Sequence, residues 1–176
     1  MLHHIPNQNL LTITIIVAVS ENNAIGKNNA LLWHLPNDLK FFKNKTWAMP
    51  VVYGRKTLNA LNNRPLNGRL NMVLTRNNQL EVSGIIVVND FELAKQKAIS
   101  LGYRELMVLG GGEIYAQTLP YAHKMYITRV HHVFEDADAF FPAFSEEDWY
   151  LTSAFQYFAD EKHAYAYTFE TWLRKI

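Results

Sequence analysis

Short runs rich in β-branched and other apolar residues, at 12–19, 50–53, 71–75, 85–88, 105–109 and 124–130, do most to limit what this chain can fold into. They show little alternation of apolar and polar residues. That pattern marks strands covered on both faces, as in a mostly parallel central sheet between flanking helices. Helical segments fit between the strands at 36–45, 55–61, 91–101 and 112–118, and Pro120 stops the last. In the third, Leu93, Ala94, Lys97, Ala98 and Leu101 fall close to helical spacing. Strands alternating with helices give an α/β fold with right-handed crossovers. The last quarter differs. Residues 150–159 and 164–173 alternate and are aromatic, on either side of Asp160-Glu161-Lys162-His163. They read as an antiparallel strand pair attached to the sheet edge.

Nothing resembles a linker or an internal repeat, so 10–176 is expected to form a single domain after an N-terminal extension at 1–9. With 49% apolar and 19% charged residues, the 176-residue chain can bury a real core, which excludes an intrinsically disordered protein. A formal net charge of +1 gives no reason to expect nucleic acid or an anionic membrane as a partner. The chain has no cysteine, so disulfides, thiolate catalysis and cysteine-based zinc sites are excluded. A cytoplasmic protein is expected. The apolar stretch 10–19 is too short to span a bilayer, and Met1 to Asn9 carries no Lys or Arg of the kind a signal peptide starts with. Seven histidines include the pairs His3-His4 and His131-His132, but neighbours in a strand point to opposite faces and no acid recurs at a ligand spacing. No metal site is expected. Asp136 and Asp138 read as part of a solvated connection.

The chemistry points to Trp33-His34-Leu35-Pro36-Asn37-Asp38-Leu39-Lys40-Phe41-Phe42. Pro36 suits the first position of a helix, where its missing N–H is one the helix leaves unpaired anyway. Asp38 then lies in the first turn, with Phe41 and Phe42 at i+3 and i+4 on its side. A carboxylate beside phenyl rings is poorly solvated and has its pKa pushed upward. Such a group holds a cationic ring or helps to deliver a proton. An acid that merely complements the helix dipole is the plainer alternative.

Three strand-to-helix connections suit anions. Val108-Leu109-Gly110-Gly111-Gly112-Glu113-Ile114-Tyr115 runs from a strand through glycines into a helix start, where backbone N–H groups can face a pyrophosphate. It matches neither the dinucleotide-binding glycine fingerprint nor a P-loop. Val52-Tyr53-Gly54-Arg55-Lys56-Thr57 places two cations and a hydroxyl at a second helix start. Val73-Leu74-Thr75-Arg76 ends a strand in a hydroxyl and a guanidinium, and in NADP sites an Arg near a βα turn accommodates the 2′-phosphate. Any single cation here reads equally as solvated surface, and the glycines as a tight turn.

An ordered series of motifs covers nearly everything from Thr12 onward: Ala18-Val19, Ile25-Gly26, Trp33 to Leu39, Gly54-Arg55-Lys56-Thr57, Arg64-Pro65-Leu66-Asn67-Gly68-Arg69, Gly110 to Tyr115, Thr128 and Phe141-Pro142. In this order and spacing the chain resembles the dihydrofolate reductases of bacterial chromosomal type. The resemblance implies reduction of 7,8-dihydrofolate to tetrahydrofolate by NADPH in a monomer whose other small-molecule partners are antifolate inhibitors. Asp38 is similar to the family's acid, and Thr128 to the residue linking that acid to the pterin amino group. Trp33 resembles the aromatic that holds a nearby water, although core packing explains a tryptophan equally well.

By the same resemblance Leu39, Phe42 and Leu66 would bracket the substrate rings, and Ile16, Val17 and Leu31 would also line that site. Arg69 would clamp the substrate's α-carboxylate. Tyr115 would line the nicotinamide pocket, with Ala18 and Leu109 offering backbone groups, and Gly110-Gly111 resembles the family's cis peptide. Arg55, Lys56, Thr57, Thr75 and Arg76 would take the cofactor phosphates, with Gly54, Leu74, Gly112, Glu113 and Ile114 around them. Residues 24–32, including Ile25, Gly26, Asn29 and Ala30, resemble a mobile loop that closes over the nicotinamide, which Asp138 would contact. Leu32 and Asn67 stand where many members have proline, and Asn62-Asn63 makes its loop slightly longer. The related reductase of riboflavin synthesis lacks an acid like Asp38, and a non-catalytic nucleotide-binding module would leave that acid unexplained.

Overall fold

Alternate residues of the first strand, β1 (Thr12–Ser20), enter opposite cores: Ile13, Ile15 and Val17 one way, Ile16 the other. This is why its run is apolar without alternation. The computed structural model describes residues 10–176; the extension expected at 1–9 lies outside the described residues. After β1 come β2 (Ala24–Gly26), α1 (Pro36–Thr46), β3 (Pro50–Gly54), α2 (Arg55–Ala60), β4 (Leu70–Leu74), β5 (Ile85–Val88), α3 (Phe91–Ser100) and β6 (Glu105–Gly110). Then follow α4 (Gly112–Thr118), β7 (Lys124–Val130), β8 (Ala139–Phe140), β9 (Trp149–Tyr157) and β10 (Tyr167–Arg174).

The main sheet has eight strands in the order β5-β4-β3-β6-β1-β7-β10-β9. The pairs from β5 to β7 are parallel, and β10 and β9 are joined antiparallel at the edge. The α/β architecture, with its parallel centre, flanking helices and antiparallel C-terminal strands, is the one the sequence pattern implies. No helix among the described residues is long and apolar enough to cross a membrane.

Several boundaries move, each for a physical reason. In α3 the inward face is Phe91, Ala94 and Ala98, while Leu93 and Leu101 are exposed. The helix start stays at Phe91, one position after Asp90, whose carboxylate accepts from Leu93 N–H at 2.8 Å, and the helix end moves back to Ser100. Strand β4 ends at Leu74, because Thr75 turns its hydroxyl to accept from Asn77 N–H. Strand β10 begins at Tyr167 and not at 164, because Asp160 gathers the N–H groups of Lys162 and His163 into a tight turn. The segment read as a flexible loop, 24–32, opens with a strand: β2 pairs with β8. Strands of three and two residues are too short to show a period.

Candidate active site

Helix α1 starts without a side-chain cap, since Leu35 occupies the cap position and Pro36 follows. Asp38 sits in its first turn and faces the sheet at Thr128, which lies on β7 between Ala18 of β1 and Phe169 of β10. Thr128 Oγ1 donates to Asp38 Oδ1 at 2.6 Å. Burial raises the carboxyl's pKa above the usual aspartate range, and the hydrogen bond from Thr128 offsets part of that rise. Phe41 and Phe42 pack on the same core face as Ile16, with Leu66 and Leu109 beside them. Phe41 stacks flat on Phe169 at 4.4 Å. Trp33 is buried 5.5 Å from the Phe134 ring, and its Nε1 is the buried side-chain polar atom among the described residues that has no hydrogen-bond partner.

Toward their carboxyl ends β1 and β6 part. Their register runs from Thr12↔Glu105 to Ile15↔Val108 and stops there. Just beyond, the carbonyls of Ile16 and Leu109 share the hydroxyl proton of Tyr115, at 2.8 and 2.9 Å. Burial, aided by the charge of Asp38, holds Tyr115 un-ionised well above the ordinary phenol range. Ligands of open α/β sheets bind at such a divergence, outside the carboxyl ends of strands.

The glycine turn is fitted around the same tyrosine. Gly110 has φ +102° and joins Gly111 by a cis peptide bond. A Cβ at Gly110 would lie 2.6 Å from Tyr115 Cε2, so no side chain fits there. A Cβ on Gly54 would lie 3.0 Å from Ile114 Cγ1, and one on Gly111 would lie 3.7 Å from Thr57 Oγ1. The β3–α2 and β6–α4 turns therefore abut. Gly54 and Gly111 cap these helices without a side-chain oxygen. Exposed Arg55 and Lys56 open α2, and Arg76 is exposed past the end of neighbouring β4, where Leu74 is buried and Thr75 half-buried. Glu113 points to solvent, whereas Ile114 is buried. This strand edge is rich in cations and backbone donors, as the sequence suggests.

The segment after β2 lies across this edge and is tied down at several points. Lys27 and Ala30 exchange backbone hydrogen bonds, and Gly26 is so close that a Cβ would meet Ala30 O at 2.8 Å. Asn28 N–H donates to Asp138 Oδ2 at 2.9 Å, and Asn29 Nδ2 donates to Lys56 O at 2.8 Å. Lys27 pairs with Asp136 at 2.6 Å and holds that carboxyl below its usual range. Ile25 reaches the start of α4, 3.9 Å from a Cβ placed on Gly112.

Not every expected residue gathers. Val17 enters the core face opposite Ile16, while Leu31 and Leu39 are exposed. The Arg69 guanidinium is not a free fork. It donates to Asn67 O, Lys43 O and Thr46 Oγ1 at 2.6 to 3.2 Å and lies over the Trp47 ring at 5.0 Å. Buried Asn71, which the strand pattern gave no reason to single out, holds the loop before Arg69 through Leu66 N–H and the carbonyls of Leu66 and Arg69. Among the described residues, no group of three or more His, Asp or Glu is placed to hold a metal ion.

Comparison with known proteins agrees with this geometry. The family model for dihydrofolate reductase matches residues 12–174. Dihydrofolate reductase of Bacillus subtilis is 41% identical over 163 residues, covering 93% of this chain and 95% of that protein. That of Haemophilus influenzae is 39% identical over 165 residues, covering 94% and 100%. The structure of dihydrofolate reductase from Enterococcus faecalis complexed with NADP(H) and RAB-propyl aligns with a TM-score of 0.85 at 35% identity, covering 94% of this chain and 97% of that one. The chain belongs to the dihydrofolate reductase family of oxidoreductases.

Proposed function

We propose that the chain reduces 7,8-dihydrofolate to tetrahydrofolate with NADPH, with Asp38 assisting protonation of the pterin. The observation that carries this reading is a part-buried, poorly hydrated carboxylate in a helix first turn, anchored by Thr128 and close enough to Tyr115, at the end of the β1–β6 pairing, to act on its ionisation. The bare backbone at Gly110 and the abutting glycine-capped turns with Arg55, Lys56 and Thr57 fit a dinucleotide and its pyrophosphate. When bound, NADPH supplies the hydride for the pterin carbon.

The residues of the chain do the rest. Asp38 accepts from the pterin's amino group and ring N–H, and its charge favours a proton on the adjacent ring nitrogen. Thr128 holds Asp38 in place and offers its own oxygen to the same amino group. Trp33 Nε1 donates to a water that can pass the proton, which supports a role for an otherwise unpaired buried donor. Phe42, Leu66 and Ile16 give the ring an apolar bed and keep water from the hydride path. Thr75 and Arg76 take the 2′-phosphate. Arg69, held in position by Thr46 and Asn67, directs its remaining donor capacity toward the substrate's carboxylate. A cytoplasmic monomer that also takes antifolates belongs to the same reading.

The test is NADPH oxidation by purified protein with and without dihydrofolate, for the native chain and Asp38→Asn. Dihydrofolate-dependent oxidation that collapses in the variant at neutral pH and partly recovers in acid is the expected result. Full activity of Asp38→Asn at neutral pH would remove Asp38 from the chemistry.

A further inference from the structure

The helix that carries Asp38 receives its N-terminal cap from a distant part of the chain. Leu35 at the cap position has no side-chain oxygen. The Asn37 N–H, one of the donors that a helix start leaves unpaired, instead donates to His163 Nε2 at 3.1 Å. A backbone N–H can only donate, so Nε2 carries no proton and the imidazole proton lies on Nδ1. There it donates to Asp160 Oδ1 at 2.8 Å. The carboxylate fixes the tautomer and is itself held below its usual pKa range by that hydrogen bond.

Further contacts make this a built arrangement. His163 is only 3% exposed, in a connection otherwise open to solvent. Asp160 Oδ1 also accepts from the backbone N–H of Lys162 and of His163, which locks the turn that presents the imidazole. Tyr167 packs against the imidazole at 5.3 Å and accepts from Asn37 Nδ2 at 2.8 Å. Asn37 is therefore gripped by its backbone and by its side chain. The next residue is Asp38, gripped from the other side by Thr128. The ionisable groups packed against His163 are Asp160 in its own turn and Tyr167 on β10, while Asp38 lies one residue beyond the Asn37 amide at the start of α1.

Building on the function proposed above, we infer that His163, oriented by Asp160, is a positioning residue that sets the place and hydration of the Asp38 carboxyl through the Asn37 amide. It touches neither substrate nor cofactor. Its effect passes through one backbone hydrogen bond at the start of α1. Without that bond the first turn loosens, and water reaches a carboxyl whose unusual character comes mainly from burial.

The test replaces His163 with Phe, which keeps the bulk and removes the acceptor, and with Gln, whose Oε1 can sit close to where Nε2 does. The Asp38 side-chain carboxyl is followed by 13C NMR against pH in the ligand-free protein. His163→Phe is expected to lower the Asp38 midpoint by about 0.5–1 unit, and His163→Gln to restore most of it. In single-turnover reduction of dihydrofolate, His163→Phe should slow hydride transfer about tenfold with the Kd for NADPH unchanged, and His163→Gln should recover the rate.

An unchanged Asp38 titration in folded His163→Phe would overturn the inference, and so would equal shifts in Phe and Gln, which would point to bulk packing. Should the Phe variant fail to fold, Asp160→Ala on the exposed side decides the matter: a shift in the same direction supports the inference and no shift overturns it. The titration needs no substrate. A shifted Asp38 in a protein that does not oxidise NADPH with dihydrofolate would refute the function and keep the positioning role; an unshifted Asp38 in an active enzyme would do the reverse.

Discussion

Thr128 reaches across from the sheet to donate to Asp38 at 2.6 Å, joining residues 90 positions apart. Two opposed influences meet in that contact. Burial disfavours the charged carboxylate, while the hydroxyl favours it. The balance leaves an acid that is harder to ionise than an ordinary aspartate yet is held in a single orientation. Such a group serves proton chemistry at the expense of stability.

Asp38→Asn should therefore stabilise the fold at neutral pH while it abolishes reduction. An acid whose pKa is raised in the folded state contributes stability below its unfolded value of 3.8, and loses that contribution as pH rises through the folded value. The native chain thus carries a penalty at pH 7 that the amide lacks. The gap between the two melting curves should close as pH falls toward 3.8. Each kcal/mol corresponds to about 2–4 °C in a chain of this size. Equal melting temperatures at pH 7 would contradict the role assigned to burial.

Thr128→Val removes the influence that lowers the Asp38 pKa and keeps the one that raises it. The apparent pKa in the pH profile of hydride transfer should move upward from that of the native chain. A single-turnover profile that stays in place, or moves to lower pH, would show that Thr128 does not act on the ionisation.

The fold was legible in the sequence where a signal was long and local. The run at 12–19 announced a strand covered on both faces, and Pro36 announced a helix with Asp38 in its first turn. Contacts between distant side chains left no such trace. Nothing in the run at 124–130 distinguishes Thr128 as the residue that meets Asp38, and only the resemblance to a known family pointed to it. Arg69 read, by resemblance alone, as a clamp for a carboxylate, and its contacts with Thr46, Lys43 and Asn67 left no trace, because a loop's backbone carbonyls have no signature in side-chain types. His163 read only as the last residue of the connection between two strands, since its contact lies at a helix end 126 residues away. Pairing of β2 with β8 escaped notice because neither is long enough for a period.

Tyr115→Phe leaves the carbonyls of Ile16 and Leu109 without the donor they share. Leaving buried acceptors unpaired costs about 1–3 kcal/mol, so urea unfolding should show a loss in that range. The ends of β1 and β6 would lose their tie as well, and NADPH binding should weaken. A stability change within ~0.3 kcal/mol would mean that water replaces the hydroxyl without loss.

Arg76→Gln tests the 2′-phosphate assignment. Exposed Arg76 follows Thr75 at the end of β4, two strands from the glycine turn. A charged hydrogen bond to phosphate is worth about 1.5–3 kcal/mol, or roughly a 10- to 150-fold loss of NADPH affinity. NADH lacks the phosphate, so its affinity should hardly change. Fluorescence titration of both nucleotides decides the point, and equal losses would place the 2′-phosphate elsewhere.

Trp33→Phe separates packing from proton delivery. Trp33 Nε1 is buried with no partner among the described residues, so its removal takes away no protein hydrogen bond. The phenyl ring still packs on Phe134, but it leaves a gap where the pyrrole edge stood. Loss of that volume should destabilise by about 1–3 kcal/mol. Reduction should slow further than this packing loss explains, most at high pH, where the substrate depends most on a delivered proton. Single-turnover hydride transfer measured across pH distinguishes the two. A uniform decrease at every pH would assign Trp33 to packing alone, whereas a deficit that grows with pH would tie its N–H to delivery of the proton.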